Sequence, residues 1–159
     1  MRVIASVVLS AALMTGYAFA GDLSPKANAD FLAANAKKSD TVSVPGIQYQ
    51  VLKKGTGAQP TRSDCVTVYY SGSLIDGKVF DATKPGKPAT FSAGGVISGW
   101  VEALQMMHAG DKWRLVIPAG LAYGKAGTGD SNNTIPGGQT LIFELELLRV
   151  TPATEAGCG

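Results

Sequence analysis

The only histidine in the 159-residue chain is His108, in the run Met106-Met107-His108-Ala109-Gly110. A Ser-His-Asp or Cys-His nucleophilic site would have to use it as the base, and a histidine metal centre would lack a second imidazole. Apolar spacing upstream places it instead at the end of a helix, exposed, where a partial positive charge suits the helix dipole. The two cysteines, Cys65 and Cys158, have the spacing of neither a zinc site nor a CxxC redox pair. In an oxidising compartment they can form one disulfide. Gly55-Thr56-Gly57 and the segment Gly124 to Gly129 lack the strand-loop-helix context of phosphate loops and read as turns. The formal charge is +2, and the pairs Lys37-Lys38 and Lys53-Lys54 are too sparse to make a nucleic-acid footprint. Neither a metal nor an organic cofactor is expected.

What remains is a supply of aromatic and branched residues near predicted loops: Tyr70, Phe80, Phe91, Val96-Ile97, Trp100, Tyr123 and Phe143. Such a set can desolvate a ligand and hold it by shape. On composition alone it also reads as ordinary core, which aromatics commonly dominate. The elements that carry these residues, and their order, therefore matter.

The chain opens with Arg2, an apolar run from Val3 to Leu13 and then Ala18-Phe19-Ala20, the pattern of a secretory leader cleaved after residue 20. The run is shorter than the roughly 20 apolar residues of a membrane span. Export, most simply to a bacterial periplasm, is the expectation. The sequon Asn132-Asn133-Thr134 would matter only in a eukaryotic secretory route. Residues 21–46 read as a helical extension and linker. Ser24 is positioned to cap a helix with Pro25 in its first turn, running to Lys38. From Ile47 the pattern turns to period two, with Ile47, Tyr49 and Val51 on one face. Val66, Val68 and Tyr70 alternate in the next strand, and Asp76-Gly77 marks a hairpin turn before Val79-Phe80. A short strand at Thr90-Phe91 precedes a helix in which Ser98 is a candidate cap, Trp100/Val101, Leu104 and Met107 share a face, and Gly110 is the stop. Trp113–Ile117 forms a strand ended by Pro118. A polar loop fills 124–139, and Leu141, Phe143, Leu145 and Leu147 form one face of the last strand. Together these give an α+β domain over 47–150: a curved antiparallel sheet of about five strands wrapped around one short helix, followed by a tail at 151–159.

The segment Val66 to Asp81, with its Tyr69-Tyr70-Ser71-Gly72 and Gly77-Lys78-Val79-Phe80-Asp81, resembles the first signature of FKBP-type peptidyl-prolyl cis/trans isomerases. Val96-Ile97-Ser98-Gly99-Trp100 resembles the second. Leu121-Ala122-Tyr123-Gly124, Ile135-Pro136 and Thr140-Leu141-Ile142-Phe143 follow in the family's order. The resemblance implies a pocket floored by Trp100 and walled by Tyr70, Phe80, Val96, Ile97 and Phe143, with Tyr123, Ile135 and Asp81 at its rim. It also implies that the Ile97 N–H and the Tyr123 hydroxyl donate to ligand carbonyls. Asp81 reads equally well as a fixed negative dipole beside the twisting amide or as an ion-pair partner that braces the hairpin.

The implied function is rotation of X-Pro bonds during the folding of exported proteins, by desolvation in the aromatic pocket. A non-catalytic module that binds proline-containing peptides, or a chaperone, is the alternative. Implied partners are proline-containing unfolded or partly folded polypeptides, with the family's macrolide inhibitors as further ligands, and neither nucleic acid nor membrane after leader cleavage. Tyr69 stands where many members carry histidine. Ala89 replaces an aromatic that lines the pocket edge in several members, so that edge should be more open. The N-terminal segment resembles only the end of the helical dimerisation region of exported, macrophage-infectivity-type relatives, so a monomer is expected rather than a dimer.

Overall fold

In the computed structural model of the chain, residues 21–129, 135–152 and 158 are described. The proposed leader, its cleavage site and the sequon lie outside them. The Ser24 hydroxyl accepts from Ala27 N–H at 3.1 Å and Pro25 opens α1 (Pro25–Ala36), the capping chemistry that the sequence implies. The helix stops at Ala36 rather than Lys38. In the linker that follows, Val42–Ser43 form β1, a two-residue edge strand that the sequence pattern does not reveal.

Among the described residues six further strands and one further α-helix follow: β2 (Gln48–Lys53), β3 (Cys65–Ser73), β4 (Val79–Ala82), β5 (Ala89–Ser92), α2 (Ser98–Leu104), β6 (Lys112–Ile117) and β7 (Leu141–Thr151). The sheet runs β1-β2-β6-β7-β3-β4, with β5 also on β3, and all its pairs are antiparallel. The α+β class stands, with seven strands instead of about five. The strand with no counterpart in the sequence pattern is β1, and one edge is shared: β3 pairs β5 along Cys65–Val68 and β4 along Ser71–Ser73.

Alternation sorts the sheet into two faces. Val66 and Val68, Leu115 and Ile117, and Leu141, Leu145 and Leu147 are all at most 0 % exposed and meet Ala103, Leu104 and Met107 of the α2 region in one core. The period-two reading of β2 holds at Ile47 and Tyr49 but fails at Val51, which is 49 % exposed where the β2/β6 register shifts. A bulge re-aims the strand at that point.

Two features of α2 differ from expectation. Ser98 does not cap it: Ile97 is the N-cap, and no side chain supplies a cap bond. The helix ends at Leu104, and Met107 reaches the core from a following turn, its N–H on Ala103 O at 3.0 Å. His108 is therefore not a helix-end residue. It is exposed in a turn built on Asp111, whose buried carboxylate accepts from His108 N–H at 2.6 Å and from Gly55 N–H at 2.6 Å. Cys65 and Cys158 are disulfide-bonded, with Cα atoms 5.4 Å apart, tying the tail to the start of β3.

Candidate functional site

Trp100 lies on the first turn of α2 and is 3 % exposed. Three rings stand edge-on to its indole: Tyr70 at 5.2 Å between centroids, Phe143 at 5.3 Å and Phe91 at 6.0 Å, with interplanar angles of 82–83°. Phe80 continues the set by meeting Phe143 at 5.6 Å and 88°. Edge-to-face packing directs positive ring edges at negative faces, and it leaves a concavity rather than a filled stack. That concavity is a cleft of about 390 Å³, lined by these five residues together with Asp81, Gly95, Val96, Ile97 and Tyr123.

The walls come from four elements held in register by the sheet. Tyr70 sits on β3, Phe143 on β7, Phe80 and Asp81 on β4 and Phe91 on β5. Gly72 makes the wall possible: it pairs with Phe143 across the β3/β7 ladder, and a Cβ there would lie 2.6 Å from both Phe143 Cε1 and Phe80 Cζ. Any side chain at position 72 would push both rings out of place.

Polar groups are few. The Tyr70 hydroxyl donates to Asp81 Oδ2 at 2.6 Å. Burial, then the hydrogen bond to Asp81, holds the Tyr70 phenol far above the usual tyrosine range. Burial, then the Asp81 charge, raises the Tyr123 phenol too, so both stay neutral donors. Of the two readings of Asp81, the ion pair has no counterpart among the described residues. The carboxylate is anchored by a phenol instead. Ile97 accepts from Trp100 N–H at 2.9 Å and Val101 N–H at 3.1 Å through its carbonyl, while its own N–H finds no acceptor among the described residues. Tyr123, 40 % exposed, stands at the mouth just after a 3₁₀ turn at Ala119–Leu121.

Eight of the nine residues singled out from the sequence line this one cleft; Ile135 does not. It is 4 % exposed and packed into the core, held by its N–H on Thr128 Oγ1 at 3.0 Å. Phe91, part of the aromatic supply noted in the sequence but not of the set implied by the family resemblance, is a further wall residue. It shares a strand face with Ala89 two residues earlier on β5, and Ala89 itself is not among the residues that line the cleft. A larger groove of about 500 Å³ lies on the opposite face between Phe31 and Ser71, Leu74 and Glu144, without an aromatic floor. Among the described residues no cluster of His, Cys, Asp or Glu could hold a metal ion.

The family model for FKBP-type peptidyl-prolyl cis-trans isomerases matches residues 56–148, more than half of the chain. The chain belongs to the FKBP family. This FKBP chain is similar to an outer membrane protein MIP of Legionella longbeachae, 51% identical over 131 residues that cover 80% of this chain and 55% of that protein. It is also similar to an FKBP-type 22 kDa peptidyl-prolyl cis-trans isomerase of Escherichia coli, 50% identical over 122 residues, covering 76% of this chain and 58% of the relative. It thus spans about half the length of the curated relatives it matches. Among solved structures, a peptidyl-prolyl cis-trans isomerase from Pseudomonas syringae pv. tomato superposes with a TM-score of 0.73 at 42% identity, over 79% of this chain and 92% of that one. FkpA from Escherichia coli does so with a TM-score of 0.69 at 44% identity, over 80% and 62%.

Proposed function

We propose that the chain is a peptidyl-prolyl cis/trans isomerase acting on proline-containing unfolded or partly folded polypeptides, and that Tyr70, Phe80, Asp81, Val96, Ile97, Trp100, Tyr123 and Phe143 form its active site. The observation that carries this reading is the open cleft floored by Trp100 and walled by edge-on rings. Rotation about an X-Pro bond breaks no covalent bond. Its barrier of roughly 18–20 kcal/mol is lost amide resonance, and the planar amide is more dipolar than the twisted one. Transfer from water into an aromatic cleft therefore raises the planar state relative to the twisted one. The free Ile97 N–H and the Tyr123 hydroxyl are placed to hold the substrate carbonyls, and Asp81, fixed by Tyr70, sets a negative dipole beside the amide. An acceleration of about 10⁵-fold corresponds to about 7 kcal/mol of such differential stabilisation.

The buried position of Ile135 supports a role in backing the 124–139 loop instead of touching substrate. Residues 47–150 are the catalytic unit in this reading, and 21–46 an extension. The disulfide fits an oxidising compartment, and with the leader-like start of the sequence it supports export to a periplasm. Among the described residues no helix is long and apolar enough to cross a membrane. A monomer is favoured because α1 is 12 residues long and its amide side chains are already engaged on its own sheet. The family's macrolides are candidate inhibitors of the same cleft. The test is an NMR exchange measurement on a short X-Pro peptide: the reading requires faster cis/trans exchange with the chain present, and unchanged exchange would overturn it.

A further inference from the structure

A second cavity, of about 300 Å³, shares the wall residue Val96 with the aromatic cleft. Ser98, Val101 and Leu121 line it, and its charged groups are Arg62 and Glu102. Two positions along α2 separate Glu102 from Trp100, about 200° around the helix, so the helix that floors the cleft also presents a carboxylate to the neighbouring cavity. The Glu102 side chain is only partly exposed, and its Oε2 is buried with no hydrogen-bond partner among the described residues. Arg62 is exposed and makes no ion pair with it. The loop entering β2 packs over the same carboxylate: a Cβ on Gly46 would lie 2.7 Å from Glu102 Oε2 and 2.8 Å from Leu121 Cδ1. A carboxylate held in a partly desolvated cavity without a donor leaves a strong acceptor unmet.

Building on the isomerase reading, we propose that this cavity is a second substrate subsite, in which Glu102 selects a lysine or arginine side chain close to the proline whose bond turns in the aromatic cleft. The chemistry fits a long cationic side chain: its methylenes lie along Val96, Val101 and Leu121, and its head meets the carboxylate from the cavity side through Oε1, Oε2 being covered at Gly46. Arg62 does not reverse this choice, because its exposed charge is shared with solvent and screened by salt.

The experiment uses the whole chain and X-Pro peptides identical except for Lys, Ala or Glu at one or two residues on either side of the prolyl bond, with kcat/KM from NMR exchange at low ionic strength. At one of these positions the Lys peptide should exceed the Glu peptide by about fivefold, the size of a modest ion pair, and salt should shrink the ratio. Glu102→Gln should bring the ratio to about one. Arg62→Glu, a change on the exposed rim, should raise it. A ratio of one at every position in the unaltered chain overturns the subsite, as does a ratio that neither variant moves. The Ala peptide separates the two readings. Acceleration of that peptide without charge preference removes only the subsite, whereas no acceleration removes the isomerase reading beneath it.

Discussion

Helices α1 and α2 sit on opposite faces of one sheet and are held by different physics. Inside the curve, α2 is fixed by apolar burial: Trp100, Ala103 and Leu104 meet Leu115, Ile117 and Leu145, all at most 5 % exposed. Outside it, α1 is fixed by amides. Asn28 Oδ1 accepts from Thr140 N–H at 2.7 Å, Asn35 Nδ2 donates to Gln48 Oε1 at 2.8 Å, and Arg114 donates to Asn35 Oδ1 at 3.2 Å. Both asparagines are buried, at 4 % and 1 % exposure. Apolar burial is tolerant of small shifts and can leave a cleft beside it. A buried amide network demands that each group meet its partner and is costly when one is removed. The inner face is thus suited to binding by shape and the outer face to fixing an appended segment.

That contrast can be broken in several ways. The largest effect on stability should come from Cys65→Ser with Cys158→Ser, because the disulfide closes a sequence separation of 93 residues. A loss of about 2–4 kcal/mol is expected in denaturant unfolding, with the aromatic cleft still competent in the folded fraction. Asn35→Ala should cost about 1–3 kcal/mol by leaving Gln48 and Arg114 short of a partner, while kcat/KM on an X-Pro peptide stays unchanged. A matching loss of activity would mean that the two faces are not independent. Tyr123→Phe should do the reverse, lowering kcat/KM about fivefold for one hydrogen bond of about 1 kcal/mol and leaving the unfolding midpoint where it was. The smallest effect is that of pH. Both cleft phenols are held above the usual tyrosine value near 10, Tyr70 by burial and its bond to Asp81, and Tyr123 by burial and the Asp81 charge. A raised value keeps the donor form present as pH rises, so kcat/KM should be flat from about pH 6 to 9. A fall within that window would contradict the assignment of these groups as neutral donors.

The inner face was legible in the sequence and the outer face was not, for a physical reason. Val66, Val68, Leu141, Leu145 and Leu147 declare their burial through period two, and Trp100 and Leu104 through helical spacing. Asn28 and Asn35 sit in an Ala-rich stretch that reads only as a short helical extension, because nothing in an isolated amide says which partner it will meet. Asp111 was equally silent, although its carboxylate joins the Gly55 and His108 turns. Turn chemistry beyond the last helical hydrogen bond depends on such contacts, so apolar spacing alone carries the helix on toward Gly110 and puts His108 at its end, whereas α2 stops at Leu104. Among site residues, the ones carried by strands and by the first turn of α2 converge on the cleft. Ile135, beyond a long polar loop, went to the core, where no local period could have sent it. Phe91 belongs to the aromatic set that the sequence offers but not to the residues that the family resemblance implies, and two strand residues, Thr90-Phe91, are too few to say which face it takes.

The central claim is that rotation is promoted by a desolvating aromatic cleft and not by acid-base or metal chemistry. Its most direct test is kcat/KM on one X-Pro peptide for Phe80→Ala beside His108→Ala and beside the unaltered chain treated with a chelator, each checked for a native unfolding transition. The expected result is a fall of about hundredfold for Phe80→Ala, equivalent to about 2.7 kcal/mol of lost differential stabilisation, with His108→Ala and chelation unchanged. Activity that survives Phe80→Ala but disappears with His108→Ala or with the chelator would contradict it.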